Sequence, residues 1–190
     1  MDASDVLRSA LLKVSESSAV KKLVVSAPVS RDVVGRYVSG EQVDDAVEVA
    51  AELGSTNRLC TIDFLGEYTT ERTQADTTRD TYLRLLAQLS DAGLSQAGRA
   101  EVSIKLSAIG LFLPQDGHEI ALANARAVCE AAAAAGTTVT LDMEDHTTTD
   151  ATLEVLRELR ADFPWVGAVV QSYLHRTDAD CRDLAGAGSR

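Results

Sequence analysis

Aromatic residues make up only 4% of this 190-residue chain, which also has just three prolines, three cysteines and two methionines. The cysteines, Cys60, Cys129 and Cys181, are widely spaced without a paired-ligand pattern. That spacing supports neither a disulfide framework nor a structural zinc site, and suits reduced, buried thiols. No apolar run approaches the roughly 18 residues of a spanning helix. The start, Met1-Asp2-Ala3-Ser4-Asp5, lacks the positive n-region of a secretory signal, so neither secretion nor membrane spanning is expected. Positive charge is scarce as well: Lys plus Arg is 18 against 29 for Asp plus Glu, a net charge of −11. Such a surface has no basic footprint for a phosphate backbone, which argues against nucleic acid as a partner. What remains is a globular composition, 45% hydrophobic and 25% charged, with a mean hydropathy of −0.03.

Residues 1–57 read as a helical lead-in. Leu7, Leu11 and Val14 recur at helical spacing, as do Val20, Leu23 and Val24 before Pro28, and Val43, Ala46, Val47 and Ala50 before Gly54. From residue 58 the texture changes to short apolar runs, each followed by a longer amphipathic stretch. The runs Leu59 to Leu65, Val102 to Leu106, Thr138 to Met143 and Val166 to Leu174 are predicted strands. The stretches between them, about 75–92 ending at Gly93, 117–136 ending at Gly136, and a third carrying Leu153, Leu156 and Leu159, are predicted helices. A last short helix starts near Thr177. The alanine run 131–135 reads as a close-packed helix face.

Strand followed by helix, four times, at a spacing of about 30 to 40 residues, predicts parallel strands in an α/β fold. No strand is followed by a Gly-x-Gly-x-x-Gly turn, and the third strand runs instead into Glu144-Asp145-His146-Thr147, which disfavours a dinucleotide-binding sheet. Polar residues collect at the carboxyl ends of the strands, as in a (β/α)8 barrel. The expected architecture is therefore a partial (β/α)8, TIM-type barrel of about four strand-helix units preceded by N-terminal helices. A complete barrel takes about 200 residues or more, and Arg190 falls where a fifth strand would start. The expectation is that the C-terminal half is absent, and that the chain alone would aggregate, pair with itself or stay partly molten.

Four lysines occur against 14 arginines, and Lys105 alone falls in a predicted strand. In Val102-Ser103-Ile104-Lys105-Leu106 it shares a face with Ser103. Its ammonium needs a partner, either an anionic ligand or a structural carboxylate on a neighbouring strand. Asp142, on a face with Thr138 and Thr140, ends the third strand, where it would lie across from Lys105 and help bind a zwitterion. Glu144 and His146 follow, so Asp142, Glu144 and His146 also admit a divalent-metal site, although loop carboxylates often only cap the next helix. On the fourth strand Gln171 and Tyr173 share a face with Val169 and offer an amide and a phenol, the amide suiting the polar edge of a heterocycle or neighbouring strand groups. His118 and His175 read as solvated, and Trp165 as packing at the bottom of the barrel. No nucleophile elbow or Walker loop is present.

Four segments in order, Asp63-Phe64-Leu65-Gly66-Glu67, Val102-Ser103-Ile104-Lys105-Leu106-Ser107, Leu141-Asp142-Met143-Glu144-Asp145 and Val169-Val170-Gln171-Ser172-Tyr173-Leu174, resemble the FAD-dependent proline dehydrogenases of the short monofunctional bacterial type. The lead-in Arg36-Tyr37-Val38-Ser39-Gly40-Glu41 does so too. The resemblance implies a distorted (β/α)8 barrel that oxidises L-proline to 1-pyrroline-5-carboxylate, passes a hydride to FAD and its electrons to a quinone, and serves the degradation of proline to glutamate. It implies that Lys105 holds the proline carboxylate, that Asp142 acts beside it, that Met143 and Gln171 contact the flavin, with Tyr173 on the same wall, and that Glu67 forms a gating ion pair. It implies a cytoplasmic protein that can associate peripherally with the inner face of the plasma membrane. The segments expected to supply a fifth-strand arginine, most of the FAD surface and the arginines that close on proline would follow residue 190. The chain alone is thus expected to be inactive and to hold FAD weakly or not at all. Two rivals stay open: a metal-dependent barrel lyase or hydrolase using Asp142, Glu144 and His146, and a non-catalytic half-barrel that assembles with a second half.

Overall fold

The computed structural model describes residues 37–186 and Arg190; the expected helices around Leu7 to Val14 and Val20 to Val24 lie outside the described residues. Contacts divide the chain into two units, residues 1–42 and 43–190, and every element below belongs to the second. Helix α1 spans Val43–Ser55. Its apolar stripe seats Val43 and Ala50 in the core, with Ala46 and Val47 partly buried beside them. Asp44 and Asp45 in its first turn complement the positive end of the helix dipole. The remaining elements alternate: β1 Cys60–Asp63, α2 Arg72–Asp91, β2 Ala100–Ile104, α3 Gly117–Ala135, β3 Val139–Leu141, α4 Thr149–Asp162, β4 Gly167–Ala168 and α5 Thr177–Leu184. Short 3₁₀ turns at Gln96–Gly98 and Leu106–Ile109 precede and follow β2.

All four strands are parallel, in the order β1-β2-β3-β4, with Asp63 opposite Ser103, Ser103 opposite Thr140 and Thr140 opposite Gly167. The strand order never reverses. With right-handed crossovers, α2, α3 and α4 therefore fall on one face of the sheet, the arrangement of a barrel wall. The strand residues on that face, Val102, Ile104, Val139 and Leu141, are fully buried with Leu86 and Leu89 of α2, Val128 of α3, and Leu153 and Leu156 of α4. Truncating any one of these leucines to alanine removes about 2–5 kcal/mol. Helix α3 stops where Gly136 adopts φ +74 and its N–H turns back to Ala132 and Ala133, a left-handed cap that glycine adopts without strain.

The opposite face is polar. Glu101 of β2 accepts hydrogen bonds from Thr61 Oγ1 of β1 (3.0 Å) and from Thr138 Oγ1 at the entry to β3, so side chains two residues apart on each strand share this inner surface. Several expectations need correcting. The fourth strand does not run from Val166 to Leu174: β4 is two residues long, and after the Val169 N–H reaches Leu141 O (2.9 Å) the chain turns. Tyr173 lies in that turn, 75% exposed, and does not extend a strand face with Gln171. The alanine run packs through Ala131, Ala132 and Ala135, while Ala133 and Ala134 fall on the outer side of α3. Of the cysteines, Cys129 alone is buried, and burial pushes its thiol pKa up to about 12. Trp165 packs edge-on against Phe163, and His118 lies 3.6 Å from Glu158. Among the described residues no helix is long and apolar enough to cross a membrane.

Candidate active site

Lys105 is the first residue beyond β2, and its backbone stays extended, with φ −98 and ψ 124. Alternation therefore carries one step past the strand and places its side chain on the inner face with Glu101 and Ser103. Asp63 ends β1, and the register that sets it beside Ser103 brings it next to Lys105. Asp142 follows β3, its N–H bound to Ile104 O (2.9 Å). Three adjacent strand ends thus converge. The Lys105 ammonium donates to Asp63 Oδ2, and Asp142 Oδ2 lies 3.7 Å from the same nitrogen.

The lysine side chain is 12% exposed, against about a third for each carboxylate. Burial alone would lower the Lys105 pKa. The hydrogen bond to Asp63 and the negative charges of Asp63, Asp142 and Glu67 outweigh burial and raise it, so the ammonium stays charged. Tyr82 of α2 braces the β1 end. Its hydroxyl accepts from Phe64 N–H (3.1 Å) and donates to Ser103 O (2.8 Å). The tyrosine is fully buried, and that burial raises its phenol pKa.

Lys105 and Asp142 meet as their strand positions predicted. Asp63 was missed, and it is the nearer carboxylate, so the structural-pair alternative for Lys105 is present. The available signal was parity: Asp63 closes the first strand two residues after Thr61, just as Asp142 closes the third two residues after Thr140. One ammonium between two carboxylates leaves a negative surplus. A site of this kind suits a ligand with separated charges, its anion drawn to Lys105 and its cation to the aspartates.

The other candidates lie around this centre. Glu67 sits exposed in the β1–α2 loop. Met143 is buried in the apolar core, while its N–H binds Asp142 Oδ1 (3.0 Å). Gln171 donates from Nε2 to Glu144 O (2.6 Å), and its Oε1 is buried without a partner. Glu144 turns its carboxylate to Ser107, accepting from the backbone N–H (3.0 Å) and the hydroxyl. His146 is exposed beside Asp145. Among the described residues no group of three or more His, Cys, Asp and Glu side chains is arranged to hold a metal ion.

A sequence model described as proline dehydrogenase matches residues 46–190. The chain belongs to the proline dehydrogenase family. It is 30% identical to proline dehydrogenase 1 of Bacillus subtilis (strain 168), over 94% of this chain and 57% of that protein. It is 33% identical to the proline dehydrogenase of Deinococcus radiodurans, over 93% and 56%. The chain thus spans a little over half the length of these curated relatives. Among solved structures it resembles proline utilization A from Bdellovibrio bacteriovorus inactivated by N-propargylglycine, with a TM-score of 0.73 and 24% identity over 82% of this chain and 18% of that one. It also resembles the D778Y mutant of proline utilization A from Bradyrhizobium japonicum, with a TM-score of 0.63 and 20% identity over 80% and 17%. The parallel strand-helix units are those of a TIM-type barrel.

Proline dehydrogenases are flavoenzymes, and the polar face of this family member fits such a group. The Gln171 Oε1 atom is a buried acceptor without a donor among the described residues. A flavin's ring edge carries an N–H of the kind that would satisfy it.

Proposed function

We propose that residues 58–190 form the first half of a proline dehydrogenase barrel, with residues 1–57 as its lead-in segment, and that the barrel oxidises L-proline to 1-pyrroline-5-carboxylate. In this reading FAD is the cofactor, a quinone takes the electrons, and the reaction serves the degradation of proline to glutamate. The observation that carries the reading is the convergence of Lys105, Asp63 and Asp142 on one polar wall. FAD, when bound, supplies the acceptor for the hydride and its electron pair.

Lys105 binds the proline carboxylate and orients the ring. Asp142 holds the ammonium and draws the cationic end of the substrate. Asp63 holds the lysine from the other side. Gln171 offers its Oε1 to the flavin edge, and Met143 orients the Asp142 carboxylate through its backbone N–H while its side chain packs beneath. Glu67, whose charge reaches Lys105 from an exposed loop, gates the site and helps keep water from the bound proline. In this reading the protein is cytoplasmic and meets the quinone by peripheral association with the inner face of the plasma membrane.

The described residues build one wall of the site, and the chain by itself is expected to turn over no proline. Adding FAD to the purified chain and desalting should leave little bound flavin; a stoichiometric yellow protein would overturn that expectation. Joined to the remaining portion of a family barrel, the chain should bind FAD and be bleached by proline without oxygen. A flavin-loaded joined protein that proline fails to bleach would sink the assignment.

A further inference from the structure

Three strand-end loops meet at one buried serine, and a fourth joins them through Glu144. Ser107 lies two residues beyond Lys105 in the 3₁₀ turn. Its N–H donates to Glu144 Oε2 (3.0 Å), and its hydroxyl donates to Glu144 Oε1. The same hydroxyl accepts from Tyr68 N–H (3.1 Å), and the Ser107 carbonyl accepts from Thr69 N–H (3.0 Å). Glu144 also presents its own carbonyl to Gln171 Nε2 (2.6 Å). Hydrogen bonds therefore run from the β1 loop through the β2 turn and the β3 loop to the β4 loop without a gap.

The chemistry of the hydroxyl gives this chain a direction. A serine has one proton to donate and lone pairs to accept with. A carboxylate accepts only, so Glu144 takes the serine proton and leaves a lone pair for Tyr68. Tyr68 needs that acceptor more than most residues would, because it holds φ +55, a left-handed conformation that costs a side-chain-bearing residue about 1–2 kcal/mol. Tyr68 and Thr69 directly follow Glu67.

We propose that Glu144 and Ser107 are positioning residues: through one shared, charge-assisted hydrogen-bond pair they fix the backbone that carries Glu67 and hold the Gln171 amide. This rests on the reading of Glu67 as a gate and Gln171 as a flavin contact. Glu144 then acts on the gate through Ser107, without touching it.

Amide hydrogen exchange on the purified 190-residue chain tests the brace. Ser107→Ala should lower protection at the Tyr68 amide by about tenfold, the scale of one lost hydrogen bond, with protection in β2 and β3 kept. Ser107→Thr, which keeps the hydroxyl, should restore it. Glu144→Gln, nearly isosteric, should loosen the Tyr68 amide by about threefold or more through Ser107, whose hydroxyl bonds both, because the carboxamide can present only one acceptor to Ser107. Unchanged Tyr68 protection in Glu144→Gln, or no rescue by Ser107→Thr, would overturn the proposal. Exchange judges the brace independently of flavin: failure of the joined barrel to react with proline would remove the proposed function and leave the brace standing.

Discussion

Strand β2 carries two opposite charges on its inner face, Glu101 near its start and Lys105 just past its end, and the two ends of the barrel wall treat them differently. At the floor, Glu101 is nearly buried and is met by three donors: the hydroxyls of Thr61 and Thr138 and the guanidinium of Arg190. Arg190 lies alongside β4, its carbonyl accepting from Ala168 N–H (3.2 Å). Burial raises the Glu101 pKa, but the bonds from Thr138, Arg190 and Thr61 outweigh it and hold the carboxyl below its ordinary range. Charge and hydrogen-bond capacity balance there among the described residues. At the rim, Lys105 faces two carboxylates and feels a third, so the charges do not balance. A balanced floor suits stability and an unbalanced rim suits binding, the division of labour expected of a barrel.

The contrast breaks most visibly at the rim. Lys105→Ala should raise the KM for proline about 100-fold, the loss of one shielded charge contact, while FAD content stays unchanged. Steady-state proline oxidation in the joined barrel, with flavin absorbance, checks both. The floor should respond in stability instead: Glu101→Gln should cost about 2 kcal/mol in urea unfolding, because it leaves Arg190 without a counter-charge.

The pH dependence of unfolding sharpens the same comparison. Folding lowers the Glu101 pKa, so its contribution is complete above the ordinary value of 4.5 and fades as pH falls through the folded value. Folding raises the Lys105 pKa, so its contribution is complete below 10.5 and fades as pH climbs through the folded value. Glu101→Gln should therefore flatten the acid limb of a stability profile, and Lys105→Met the alkaline limb. Exchanged limbs would refute the assignment. The smallest effect is expected from Thr138→Val, which removes one of three donors to Glu101 and should cost about 1 kcal/mol by denaturant midpoint.

Helix positions were legible because each helix advertises itself within its own segment: the stripe Tyr82, Leu85, Leu86 and Leu89 and the stop at Gly136 need no distant partner. Strand identity and parallel order followed from alternation with helices. The meeting of Lys105 and Asp142 followed from strand parity. Parity alone put Asp63 on the inner face with Thr61, but it escaped because the expected strand ran on to Leu65 and nothing local showed that it stops at Asp63, beside the lysine. The length of β4 escaped for a related reason: Val169 to Leu174 is apolar enough for a strand, yet the chain turns there.

Apolar periodicity is a property of consecutive residues, so the elements and their buried faces could be read directly from the order of amino acids. Which charges become neighbours depends on how strands slide against one another and where each stops. Packing of the helices against Val102, Ile104 and Leu141 settles that register. Only then do Asp63, Lys105 and Asp142, drawn from three separate stretches of chain, share one pocket of charge.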